Sequence, residues 1–187
     1  MTSAVKTRRM VLCGLFSALI AIGAFLQVPV PFMDYFTLQF LFVTLAGMLL
    51  GSRLGSVSVA VYVLVGLAGI PVFAAGGGFQ YLFRPSFGYL LGFIAAAWLT
   101  GRICEATGAD RFGRFLPAAL AGMAVTYLIG FAYKYLILNC YLGQETPLIV
   151  IVLSAFPLDL PGDLVLCAVA SLLAGRLGTA LRKENLL

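Results

Sequence analysis

Four ionisable residues stand in or beside long apolar stretches of this 187-residue chain: Arg84, Lys134, Asp159 and Asp163. A charge inserted into hydrocarbon costs roughly 2.5–3.5 kcal/mol on translocon scales, so such groups are paired or bind something. Asp163 is the most telling. It lies far enough before Arg176 that a helix would carry it about 20 Å from that charge, deep among apolar residues. One chemistry that suits these types is capture of a small carboxylic acid. Arg84, Lys134 or both would hold the carboxylate, arginine bidentately, while Asp163 and Gln80 meet neutral hydrogen-bonding groups. The plainer alternative is a Lys134–Asp163 ion pair that ties two helices together.

Other chemistries lack their residues. The chain has no histidine, and Cys13, Cys104, Cys140 and Cys167 are scattered without a CxxC pair. Zinc, haem and iron–sulfur centres therefore lack their usual ligands. No GxxxxGK[ST] loop is present to cradle phosphates, so an ATPase would have to be another chain. No cofactor is expected. An integral-membrane enzyme would need a nucleophile–base pair or metal ligands, and a channel would need polar groups through its full thickness.

The elements that must position these charges are membrane helices. Hydrophobic residues make up 62% of the chain and charged residues 10%, against about a quarter charged in soluble domains, and the mean hydropathy is +1.06. This composition describes an all-α integral membrane protein, a single transmembrane domain over 1–187 with room for five or six spans of about 20 residues. The net charge of +5 is not a nucleic-acid footprint. Lys6, Arg8, Arg9, Arg53, Arg102, Arg111, Arg114, Arg176, Arg182 and Lys183 fall on one side, Arg84 alone on the other, and Lys134 within a span. The positive-inside rule then puts both termini in the cytoplasm of a cell-membrane protein.

Six spans follow along the chain: 10–28, a short one at 38–51, 55–70, one descending from 86 to 103, 115–142, and an apolar region from 148 to 177 divided by Pro157 and Pro161. In that last region an extended or partly helical piece at 148–160 precedes a helix from Pro161, where proline at the first turn loses nothing. Pro29 and Pro31 hold the first outer connection extended. The outer segment 66–92, GLAGIPVFAAGGGFQYLFRPSFGYLLG, sets Gly76, Gly77 and Gly78 beside Gln80 and Arg84. Irregular backbone at membrane depth survives only against protein or a water-filled cavity, so this segment is a candidate binding loop. Aromatics crowd the same half: Phe32, Tyr35, Phe36, Phe73, Phe79, Tyr81, Phe83, Tyr89, Tyr127 and Tyr133. Most suit an interfacial belt, and a few suit the wall of a pocket. In the first span Gly14 and Ala18, and likewise Ser17 and Ala21, are spaced for close helix approach, either to a partner or to the chain's own helices.

The 66–92 block, together with VPVPF…TLQ early and LPGDLVLCAVASLLAG late, closely resembles the BioY family over nearly the whole chain. These are the biotin-specific, membrane-embedded substrate-binding subunits, or S components, of energy-coupling factor transporters. The resemblance implies a six-helix bundle with outward-facing binding loops. It would bind biotin and work with a transmembrane coupling subunit and two ATPase subunits. Carried over, the family pocket maps onto the glycine-rich loop with Phe73 and Gly77, Tyr89, and the turn Pro161–Asp163. The family's AxxxA motif for the coupling subunit maps onto Gly14 and Ala18. Two departures stand out. The family commonly has GPT where this chain has Arg84-Pro85-Ser86, and a lysine where this chain has Leu166. Arg84 or Lys134 would then supply the missing cation, or the ligand would be a related acid such as lipoate; a non-transport membrane sensor or assembly protein is the other alternative.

Overall fold

The structure is a computed structural model that describes residues 3–28 and 35–183, with side chains over 7–28 and 35–179. The connection through Pro29, Pro31 and Phe32 lies outside the described residues. In chain order the elements are α1 (Ser3–Phe25), β1 (Gln27–Val28), β2 (Phe36–Thr37), α2 (Gln39–Leu67), a 3-10 turn (Phe79–Phe83), α3 (Phe87–Thr107), α4 (Phe112–Leu136) with a π-helical continuation (Ile137–Tyr141), α5 (Leu148–Ser154) and α6 (Asp159–Lys183). Among the described residues, five helices are long and apolar enough to cross a membrane.

The second and third expected spans are joined in α2, whose 29 residues are interrupted at Gly51 (φ 82°, ψ 177°), a backbone state that glycine adopts without a Cβ penalty. The helix doubles back there. Gln39 Nε2 donates to the Tyr62 hydroxyl at 2.6 Å, although a straight helix would hold these residues about 35 Å apart. The two arms also touch closely, since a Cβ on Gly55 would lie 2.8 Å from the Ala46 carbonyl oxygen. The second arm starts with N–H groups that have no intrahelical acceptor. Glu105 of α3 takes one, accepting from Ser52 N–H at 2.7 Å, and also binds the Ser52 hydroxyl.

Helix α2 packs against α1 and α3, α3 against α4, and α6 against α4 and α2. The α3–α4 contact follows from small residues at four-residue intervals: Gly88, Gly92, Ala96 and Thr100 on α3, and Ala118, Gly122, Thr126 and Gly130 on α4. A Cβ on Gly92 would come within 2.9 Å of Thr126 Cα, and one on Gly130 within 2.7 Å of the Tyr89 ring. In lipid, where apolar burial does not drive helices together, such backbone approach supplies the association energy.

Two short strands replace the expected simple loop after α1: Gln27 pairs with Thr37, and Val28 with Phe36. The glycine-rich segment folds back over the bundle, with Gly78 N–H donating to Gly66 O at 2.7 Å. Phe73, 2% exposed, fills the space above Gly66 and sits between the rings of Tyr62 and Tyr81, with centroids 5.5 and 4.6 Å away. Helix α6 starts at Asp159, so Pro161 sits in its first turn as expected from the missing N–H.

Candidate ligand-binding site

At one end of the bundle the starts of α2, α3 and α6 meet the ends of α4 and α5 around a cavity of about 340 Å³. Phe40 of α2, Leu90 and Phe93 of α3 and Ile151 of α5 give it apolar walls, and Phe36, Tyr81, Tyr89 and Tyr127 give it aromatic ones. A few polar groups converge on this apolar chamber, the usual composition of a small-molecule site.

Those groups have an order in depth. Asp163 is 9% exposed and accepts a 2.8 Å hydrogen bond from the Tyr127 hydroxyl. Two helical turns along α4, about 10 Å nearer its end, Lys134 Nζ donates to Ser154 Oγ at 3.3 Å. The Ser154 hydroxyl in turn donates a hydrogen bond to Ile151 O at 2.7 Å. Asp159 lies one turn before Asp163 and on the same face of α6, so two carboxylates and one ammonium line a single chamber. Tyr127 thus donates to the aspartate, and Ser154 accepts from the lysine.

Among the described residues, three buried side-chain polar atoms lack a hydrogen-bond partner: Ser86 Oγ, Tyr89 Oη and Asp159 Oδ1. All three residues line this cavity. Each such atom costs about 1–3 kcal/mol of lost solvation when left unmatched, and convergence of all three on one chamber is what a polar ligand would relieve.

Of the residues singled out in the sequence, Tyr89, Lys134 and Asp163 line the cavity. Phe73 and Gly77 lie in the loop beside it, Phe73 as the plug described above and Gly77 where a Cβ would run into the Ile70 carbonyl. Gln80 and Arg84 are exposed and absent from the lining. The reason is local geometry. The 3-10 turn buries Tyr81 and thereby turns its neighbour Gln80 outward, where it donates to Gly77 O at 2.7 Å. Arg84 closes the turn in extended conformation with its guanidinium 5.5 Å from the Tyr81 ring centroid, while Pro85 and Ser86 reach the lining. Leu166 is 7% exposed and belongs to the apolar core. The cation in the chamber therefore comes from α4. Gly14 and Ala18 lie on an exposed face of α1, and no atom lies within 4 Å of a Cβ placed on Gly14. Ser17, by contrast, packs inward and donates to Ser58 O at 2.7 Å.

Sequence reasoning did not assign Ser86, Thr126, Ser154 or Asp159 to the site. Asp159 and Asp163 at i and i+4, and Tyr127 and Lys134 at i and i+7, share helix faces, a signal that was present in the spacing.

Residues 1–183 match the sequence profile of the BioY family. This chain belongs to the BioY family. It is 37% identical over 180 residues to a probable biotin transporter BioY of Lysinibacillus sphaericus, covering 96% of this chain and 91% of that one. It is 37% identical over 174 residues to the biotin transporter BioY of Thermotoga maritima, covering 91% and 95%. Its fold matches the crystal structure of an S-component for biotin from an ECF-type ABC transporter with a TM-score of 0.83 and 24% identity, over 95% of this chain and 94% of that one. With its apolar helices, this BioY-family chain is a multi-pass membrane protein.

Proposed function

We propose that this chain is the membrane-embedded subunit that binds biotin for uptake by an energy-coupling-factor-type transporter. The observation that carries the reading is the gathering of Lys134, Asp159 and Asp163 with the unmatched Ser86 and Tyr89 hydroxyls in one apolar chamber. Biotin matches that set in kind. Its ureido N–H groups are donors for the carboxylates, its ureido carbonyl is an acceptor for a hydroxyl, and its carboxylate is a partner for Lys134 near the end of α4. Its aliphatic chain and fused ring suit Phe40, Leu90 and Phe93. Lipoate has no N–H donors, so it would leave the carboxylates unmatched, the kind of mismatch that discriminates most strongly.

In this reading α1, the two arms of α2, α3, α4 and α6 make six crossings, both termini are cytoplasmic, and the cavity opens outward. The groups in the chamber bind rather than react, and ATP is hydrolysed by separate subunits. Gly14 and Ala18, on the exposed face of α1, receive a helix of the coupling subunit. Isothermal titration of purified protein with biotin and with lipoate tests the substrate: one biotin per chain is expected. No heat with biotin alongside clear binding of lipoate would leave the family assignment intact and sink this choice of ligand.

A further inference from the structure

At the opposite end of the bundle a second, larger cleft of about 1140 Å³ opens between the start of α1, the Gly51 elbow of α2 and the end of α3. Arg8 and Arg9 enter it from α1, Arg53 from the elbow and Arg102 from α3. Glu105 is the acidic member of this lining, and its carboxylate is already bound by the Ser52 N–H and hydroxyl with Arg102 3.9 Å away. Among the described residues, Arg9, Arg53 and Arg102 thus set three guanidinium groups around one carboxylate whose main partner is the helix start at Ser52. The remaining wall is apolar, with Leu12, Leu54 and the half-exposed Trp98.

We infer that this cleft binds the phosphate headgroup of an anionic phospholipid. The charge excess calls for an anion, and arginine's planar fork suits phosphate oxygens in particular. The apolar wall favours a lipid over a free anion, because a small hydrated ion gains nothing from Leu12, Leu54 and Trp98 whereas an acyl chain does. Tryptophan also favours the headgroup level of a bilayer, and the cleft opens at the arginine-rich end of the helices, where they meet that level. A phosphate bound there would bridge three elements that otherwise repel one another through like charges: α1, the elbow and α3.

The test uses the full chain in nanodiscs and in detergent. Native mass spectrometry is expected to find phosphatidylglycerol retained in preference to phosphatidylcholine. Each of Arg9→Gln, Arg53→Gln and Arg102→Gln should weaken that preference by roughly fivefold, the worth of one basic residue at an anionic surface. The corresponding Arg→Lys triple, which keeps the charge but loses the planar fork, should retain only part of it. Melting temperatures in pure phosphatidylcholine should not fall, which reads folding separately. For the wild type alone, raising the salt should erode the preference. Undiminished phosphatidylglycerol retention by the Gln triple, or a preference indifferent to salt, would overturn the inference. So would equal stabilisation by inorganic phosphate or by a glutamate-rich peptide, since either would mean that the occupant is not a lipid.

Discussion

Asp163 on α6 and Tyr127 on α4 are joined by a 2.8 Å hydrogen bond between buried side chains. The contact bridges the two helices at the deep end of the cavity, so it both fixes the carboxylate and ties α6 to the α3–α4 pair. Tyr127→Phe removes the donor and leaves a buried carboxylate short of one partner. The expected loss of stability is about 1–3 kcal/mol, the cost of a buried polar group left unmatched. A thermal melt in detergent checks it, and Asp163→Asn in the same background should show strong coupling between the two positions. Additive effects of the two changes would mean that the bond contributes little.

For ligand binding, Lys134→Ala is expected to weaken biotin affinity by roughly 1.5–3 kcal/mol, the worth of a hydrogen bond to a charged group. Arg84→Ala, by contrast, should change it little because Arg84 is off the cavity lining. Biotin methyl ester should bind the wild type more weakly than the acid and should no longer be discriminated by the Lys134 variant. Calorimetry that finds the larger loss in Arg84→Ala would show that the loop rearranges on binding.

The α3–α4 seam gives a purely structural test. Gly92→Leu places a branched side chain where even a Cβ would lie 2.9 Å from Thr126 Cα. Overpacking of this kind costs about 1–3 kcal/mol, so a clear fall in melting temperature is expected. The same change at Gly14, which has no atom near its Cβ position, should leave the melt of the isolated chain as it was.

Partner docking is separable from binding. Replacing Gly14 and Ala18 together by tryptophan should abolish uptake and co-purification with coupling and ATPase subunits while sparing biotin affinity, because the cavity is lined by other helices. Normal uptake by this double variant would exclude that face of α1 as the docking surface.

Much of this arrangement was legible in the chain. The apolar runs, the prolines at 157 and 161 and the lopsided Lys/Arg distribution marked the helices, and the cost of charge in hydrocarbon marked Lys134 and Asp163, which do line the cavity. Gln80 and Arg84 lie off the cavity lining, and their polarity in an apolar block is equally satisfied at the surface. Which way each points is set by the phase of a single 3-10 turn around Tyr81, and periodicity cannot fix a phase over five residues. Ser86 and Ser154 were invisible for the opposite reason, since small hydroxyl residues are common at helix ends and only tertiary placement gives these two their role. The Gly51 elbow was half legible: its arms read as two spans, while the capping acid, Glu105, comes from a helix more than fifty residues away.

That elbow bears on how the chain enters the membrane. Residues 39–50 would rise only about 18 Å as a helix, well short of the roughly 30 Å hydrocarbon thickness a lone span must cover. The first arm is thus a poor stop signal by itself, and the two arms are expected to partition from the insertion machinery as one helical hairpin. Nascent chains cut after Gly51 and fused to a glycosylation reporter should emerge in mixed orientations, whereas chains cut after Leu67 should emerge in one. A single orientation at both lengths would mean that the arms enter one after the other.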